Sequence, residues 1–147
     1  MRVLFDTTVV LDVLLKRQPH APVAIRLFDC VAERRLDGLL GATTVMTIYY
    51  LAAKAVGRAE ATRHVRELLA LFEVAAVTRP VLEGALGLEV ADFEDAVLHE
   101  AARQAGAEGI VTRDPAGYAK VGLSVYTPEE LLAVVKAGDQ EERRGVP

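Results

Sequence analysis

The first dozen residues place an acid directly after a short apolar run. Val3-Leu4-Phe5 is too short for a helix, and it combines a β-branched with an aromatic residue without polar alternation. That pattern is typical of a strand covered on both faces, which usually belongs to a parallel sheet. Because ligands bind at the carboxyl ends of such strands, Asp6 is a candidate site residue. The alternative is that Asp6 only caps the following helix.

Length and composition predict one domain with a sizeable core. The 147 residues are enough to bury a core without a disulfide or a structural metal. The single cysteine, Cys30, excludes an intramolecular disulfide and a thiolate metal cluster within one chain. The N-terminus lacks a signal-peptide pattern, and no apolar run reaches the roughly 20 residues of a membrane span. We therefore expect a soluble cytoplasmic protein without a membrane segment.

Strand-like and helix-like segments alternate along the chain. The predicted strands are 3–5, 39–42, 74–77, 110–112 and 124–126, and the predicted helices are 9–14, 21–35, 45–56, 59–72, 81–88, 92–105 and 128–135. The expected helix caps are Thr7 or Thr8, Thr43 or Thr44, and Thr127. This alternation predicts a three-layer α/β/α sandwich with a central, mostly parallel, about five-stranded sheet. Residues 1–135 would form the single domain, and 136–147 a polar, frayed tail.

Acids without basic neighbours gather between Arg79 and Arg103. This interval holds no Lys or Arg but contains six acids, Glu83, Glu89, Asp92, Glu94, Asp95 and Glu100. Three residues apart on a helix, Asp92 and Asp95 share a face, whereas Glu94 is expected to point elsewhere. A capping role near the positive end of the helix dipole is the alternative explanation for Asp92.

Two strands and one helix are predicted to bring these acids together. Asp6 follows the first strand and Asp114 the fourth, although Asp114 before Pro115 is also a natural helix cap. With Asp92 and Asp95 they would meet at one edge of a parallel sheet. Crowded carboxylates raise each other's pKa or bind a cation, and a hard divalent ion is the ordinary solution. Such an ion polarises a phosphoryl oxygen and lowers the pKa of a bound water, which indicates phosphodiester chemistry.

Four segments follow one another in a fixed order along the chain. They are residues 6–12 (DTTVVLD), 42–50 (ATTVMTIYY), 92–96 (DFEDA) and 110–115 (IVTRDP). Together they resemble the PIN-domain nucleases. The resemblance extends from Val3 to about Leu132. It implies a metal-dependent endoribonuclease, a hydrolase that cleaves RNA. Many similar proteins are VapC-type toxins inhibited by an antitoxin, so the resemblance also implies an antitoxin partner and a homodimer.

The same resemblance assigns roles to single residues. Asp6, Asp95 and Asp114 would hold Mg²⁺ or Mn²⁺, with Asp92 beside them as the fourth catalytic acid and a further metal residue. Thr8 stands where the family often has Asn, and its hydroxyl would orient Asp6 or a water on the metal.

Two further supporting residues are implied near the fourth acid. Thr112 would be the small hydroxyl residue that precedes Asp114. Beside it, Arg113 is the expected phosphate contact.

The chain departs from the family pattern at two places. The helix after the second strand carries no acid where the family often has one, and Thr47 stands in that region. A common Asp-Phe pair after the fourth acid is replaced by Gly117-Tyr118. We expect Asp92, one helical turn from Asp95, to compensate for the missing charge.

Several other residues have simpler explanations. His99 is expected to form a local hydrogen bond. Tyr49 and Tyr50 are expected to pack in the core with their hydroxyls at its edge. Asp12, well over one turn from Asp6, is expected to be a solvent-facing or structural acid.

Two other functions compete with the nuclease. A PIN-like module that has lost an acid would bind RNA or a protein partner without cleavage. A phosphatase of the haloacid-dehalogenase type also has an Asp after its first strand. That chemistry needs a second Asp two residues later, where this chain has Thr8.

Overall fold

The computed structural model describes residues 1–118 and 122–145, in which five strands form one sheet. The strands are β1 (Arg2–Phe5), β2 (Asp37–Gly41), β3 (Glu73–Ala75), β4 (Gly109–Val111) and β5 (Ser124–Tyr126). Their order is β3-β2-β1-β4-β5, and every neighbouring pair is parallel. The predicted parallel sheet is confirmed, with β1 at its centre.

Helices cover both faces of this sheet. They are α1 (Thr7–Leu14), α2 (Ala21–Ala32), α3 (Ala42–Val56), α4 (Arg58–Leu71), α5 (Arg79–Leu86), α6 (Phe93–Gln104) and α7 (Pro128–Gly145), with a short 3-10 turn at Pro115–Tyr118. Among the described residues, none of the helices combines the length and the apolar character needed to cross a bilayer.

The side chains of β1 divide the core into two halves. Val3 and Phe5 join the apolar cluster on the side of α1, α2, α3, α4 and α7, while Leu4 joins the cluster on the side of α5 and α6. This follows from the alternation of side chains along a strand. Because both faces of β1 are buried, the strand reads as a continuous apolar run, and the three-layer sandwich is confirmed.

The first turns of α1 and α3 differ from the expected threonine caps. Asp6, not Thr7 or Thr8, caps α1, and its Oδ1 accepts a hydrogen bond from the backbone N–H of Thr7 at 2.8 Å. The third helix begins after Gly41 without a side-chain cap. Instead, the hydroxyls of Thr7 and Thr44 lie 3.0 Å apart and join α1 to α3.

The last helix is longer than expected. Thr127 caps it as predicted, accepting a hydrogen bond from a backbone N–H at 3.2 Å. The helix then continues to Gly145, so the segment predicted as a frayed tail is helical up to that residue, and positions 146 and 147 lie outside the described residues. An ion pair between Arg35 and Asp139 attaches this polar part to the end of α2, a contact that no local pattern indicates.

Asp12 is a structural acid and forms an ion pair with Arg113. Its side chain is 1% exposed, and its Oδ2 lies 2.8 Å from Nε of Arg113. A second contact runs from Nη2 of Arg113 to Oδ1 at 3.2 Å. This pair joins α1 to the loop after β4, so the guanidinium of Arg113, which was expected to contact a phosphate, binds Asp12 in this structure.

We predict that Arg113→Met destabilises the protein because it leaves the Asp12 carboxylate buried without its partner. Removal of one member of a fully buried pair costs roughly 3–5 kcal/mol. Arg113 keeps 30% of its side chain exposed, so we expect a loss of about 2 kcal/mol in the free energy of unfolding by urea. The double variant Asp12→Leu/Arg113→Met should recover most of this loss. Equal losses in the single and double variants would contradict the assignment.

Candidate active site

The carboxyl ends of β1 and β4 form the floor of an acidic cleft. The backbone N–H of Asp6 donates to the carbonyl of Val111 at 3.0 Å, so the pairing of the two strands continues one residue beyond β1. A cleft of about 260 Å³ opens at this edge. It is lined by all four predicted acids, Asp6, Asp92, Asp95 and Asp114. The structure thus places them together, as the sheet rule requires.

Thr112 connects two of the acids. Its hydroxyl donates to Oδ2 of Asp6 at 2.8 Å and accepts a hydrogen bond from the backbone N–H of Asp114 at 3.1 Å. The residue is 1% exposed, so its hydroxyl has little access to water and depends on these partners. One buried hydroxyl therefore fixes the Asp6 carboxylate and the backbone of Asp114 relative to each other.

The first turn of α6 supplies the other two acids. Asp92 caps the helix, and its Oδ1 accepts a hydrogen bond from the backbone N–H of Asp95 at 3.0 Å. Asp92 therefore both caps α6 and lines the cleft. Oδ1 of Asp95 accepts a hydrogen bond from the hydroxyl of Tyr118 at 3.2 Å.

The cleft also contains residues that sequence reasoning placed elsewhere or missed. Thr8 and Thr47 line it, as expected. Glu94 lines it too, although the helical pattern alone indicated a different direction, because the first turn of α6 lies open at the mouth of the cleft. Tyr118 was not predicted as a site residue, although its place in the Gly117-Tyr118 pair, where the family often has Asp-Phe, was a signal for it.

His99 lies outside the cleft and lacks the expected hydrogen bond. It is 2% exposed, and within the described part of the chain neither ring nitrogen has a hydrogen-bond partner. Burial lowers the pKa of its imidazole, which keeps the ring neutral at physiological pH. A buried neutral histidine on α6 fits a packing role.

The two tyrosines of α3 also differ from expectation. Tyr50 is 61% exposed rather than packed in the core. Tyr49 is half-buried, and its hydroxyl interacts with Arg58 and Thr62 on α4. Helical periodicity could not separate the two, since they occupy neighbouring positions on a mostly apolar helix.

Burial and mutual repulsion raise the pKa of two acids in the cleft. Desolvation is the main cause for Asp6, with the charges of Asp114 and Asp92 adding to it and the Thr112 hydrogen bond opposing it. Desolvation, followed by the charges of Asp6 and Asp92, raises the pKa of Asp95 to about 6. Ionisation of Asp6 and Asp95 therefore costs free energy in the folded protein.

The donor set of the cleft fits a hard divalent cation. Among the described residues, its lining includes carboxylates and hydroxyls but no Lys, Arg or His. Within residues 1–118 and 122–145, no three Asp, Glu, His or Cys side chains form a group that could hold a metal ion by itself. Mg²⁺ does not require such a group, because it keeps several waters and is usually bound through one or two carboxylates together with substrate phosphates. A positive ion would also relieve the repulsion between the acids.

We predict that Asp95→Asn stabilises the metal-free protein at pH 7.5. The pKa of Asp95 is higher in the folded than in the unfolded chain, so the cost of its charge is fully present above pH 7 and is relieved as the pH falls through about 6. Solvent screening reduces this cost to about 1 kcal/mol, which corresponds to a rise in Tm of roughly 2–4 °C. The gain should shrink towards pH 4 in thermal melts followed by circular dichroism.

The matched control for this measurement is Asp29→Asn, which removes an exposed acid on α2. We expect it to leave Tm unchanged at both pH values. A lower Tm for Asp95→Asn at pH 7.5 would show that the acid contributes more as a first-turn helix residue than it costs in the cleft.

Solved structures with a similar fold include several toxin–antitoxin complexes. FitAB bound to an IR36 DNA fragment is 20% identical, with 86% of this chain and 94% of that chain covered and a TM-score of 0.68. VapBC2 from Rickettsia felis, bound to a DNA fragment from its promoter, is 12% identical, with coverages of 86% and 98% and a TM-score of 0.67. VapC20 from Mycobacterium tuberculosis, a toxin that cleaves the sarcin-ricin loop, is 17% identical, with coverages of 80% and 93% and a TM-score of 0.64.

At these identities the similarity establishes the shared fold. No curated protein matches the sequence. The family model of the PIN domain matches residues 2–116, which include all five acids of the cleft. The chain therefore belongs to the PIN-domain family.

Proposed function

We propose that this protein is an endoribonuclease that depends on Mg²⁺ or Mn²⁺. The observation that carries the proposal is the meeting of five carboxylates in one cleft whose described lining contains no basic side chain. Membership in a family of nucleases supports phosphodiester hydrolysis over the phosphatase alternative. A bound ion supplies positive charge at a phosphoryl oxygen and lowers the pKa of a water.

Asp6, Asp95 and Asp114 are the proposed ligands of the ion, with Asp92 beside them. Thr112 orients Asp6 through its hydroxyl and holds the backbone of Asp114. This prior fixation limits the rearrangement needed when the ion and an RNA phosphate bind.

Two acids of α6 are proposed to compensate for the missing family acid. Thr47 lines the cleft without a charge, and both Asp92 and Glu94 line the same cleft. Their carboxylates supply the negative charge that the α3 segment does not provide. Glu94 is the new member of this set, since sequence reasoning assigned compensation to Asp92 alone.

Cleavage of labelled RNA tests the proposal. We expect the full chain to cut a pool of fluorophore-labelled RNA oligonucleotides with Mn²⁺ and not with EDTA. Asp6→Asn should lower the rate at least 100-fold, about 2.7 kcal/mol of activation free energy. The control Asp29→Asn should keep the wild-type rate. RNA binding by the wild type without any Mn²⁺-dependent cleavage would instead support the non-catalytic module.

A protein partner is the second part of the proposal. An apolar groove of about 430 Å³ lies beside the cleft and shares Thr47 and Glu94 with it. Its lining includes large exposed side chains, with Met46 62%, Tyr50 61% and Phe93 49% exposed. Contiguous exposed apolar surface of this kind is typical of interaction sites. Similar structures that contain toxin and antitoxin together support an antitoxin as the occupant.

Co-expression with the short antitoxin reading frame that we expect to overlap or immediately precede this one tests the partner. We expect the antitoxin to co-purify with the wild type and to be lost with Tyr50→Glu, because a charge in the groove opposes burial of an apolar segment. Leu69→Glu, on α4 and 49% exposed in the parent, should retain it. Retention of the antitoxin by Tyr50→Glu would place the interface elsewhere. Light scattering on the same samples measures whether the free chain is the expected homodimer.

A further inference from the structure

Tyr118 lines the acidic cleft, and its hydroxyl contacts an acid there. The side chain is 2% exposed and packs in the apolar cluster on the side of α5 and α6. A buried tyrosine hydroxyl requires a hydrogen-bond partner. Here the partner is Oδ1 of Asp95 at 3.2 Å. The bond joins the 3-10 turn after β4 to the first turn of α6.

Gly117, the preceding residue, borders the same acids. A Cβ placed on Gly117 would lie 3.5 Å from Oδ2 of Asp95 and 3.6 Å from Oδ2 of Asp114. Two carboxylate oxygens from separate elements thus face the same small space. A side chain at this position would enter that space.

The backbone conformation at position 117 does not require a glycine. Gly57 and Gly106 have φ values of 90° and 77°, which other residues rarely adopt, whereas Gly117 is not among the residues with positive φ. An alanine at position 117 therefore meets no conformational penalty of that kind. What it changes is the space between the two acids.

We propose that Gly117 and Tyr118 together shape the cation site. Tyr118 is a positioning residue that holds Oδ1 of Asp95, so that Oδ2 remains directed at the space shared with Asp114. Gly117 keeps that space open for the ion and its waters. The inference rests on the proposed function, since it concerns the same site.

Direct binding of Mn²⁺ to the full chain tests the inference without any measurement of RNA cleavage. Titration calorimetry gives the dissociation constant, and electron paramagnetic resonance counts the free ion. Tyr118→Phe keeps the ring and removes only the hydroxyl. We therefore expect the dissociation constant for Mn²⁺ to rise about tenfold, in the range found when partners of metal ligands are removed. Gly117→Ala should weaken binding to a similar degree while its metal-free Tm stays near that of the wild type.

Tyr49→Phe is the matched control, because it removes a tyrosine hydroxyl that interacts with Arg58 and Thr62 outside the cleft. We expect its Mn²⁺ affinity to equal that of the wild type. A purely structural role of Tyr118 would lower the metal-free Tm but leave the dissociation constant unchanged.

The possible outcomes are distinct. If Tyr118→Phe and Gly117→Ala both bind Mn²⁺ within threefold of the wild type, the inference is overturned and the proposed function stands. If only one variant binds normally, the role of that residue is overturned. A wild type that binds no Mn²⁺ overturns the proposed function and this inference with it. Should Tyr118→Phe fail to fold, the affinity of Gly117→Ala decides.

Discussion

The hydrogen bond from the backbone N–H of Asp6 to the carbonyl of Val111 is the contact on which the site depends. It carries the pairing of β1 and β4 one residue past the end of β1. The Asp6 carboxylate then lies beside Thr112, whose hydroxyl also holds the backbone of Asp114. Residues more than 100 positions apart in the chain become one rigid unit in this way. The helix on the other side of the cleft, α6, completes the acidic set.

Much of this arrangement was accessible from the sequence because it is encoded locally. An apolar run that ends abruptly in an acid identifies both the strand and its carboxyl end, as at Asp6 and Asp114. Parallel pairing then brings such ends to one edge without any knowledge of contacts. Helical spacing likewise placed Asp92 and Asp95 on one face. The fold and four of the five acids of the cleft, all except Glu94, follow from these two rules.

The remaining features depend on contacts between distant segments, which carry no local signature. Helical spacing predicts the direction of the Glu94 side chain relative to its neighbours on α6. It does not predict how the first turn of α6 is placed against the cleft. Arg113 stands beside an acid of the site, and yet its guanidinium binds Asp12, 101 residues away in sequence. The attachment of α7 through Asp139 and Arg35 spans 104 residues. Only the assembled sheet determines which of these groups meet.

The acids of the cleft lower the stability of the folded protein, unlike most of the chain. Most of the chain is minimally frustrated: propensity, burial and hydrogen bonding agree, as in the runs that form β1 and the core face of α6. The cleft is the opposite, because Asp6 and Asp95 are held where burial and neighbouring charge disfavour their ionised forms. Selection for stability alone would therefore replace these acids before it altered Leu4 or Val3. Their presence marks the part of the molecule in which the sequence departs from what stability alone would select.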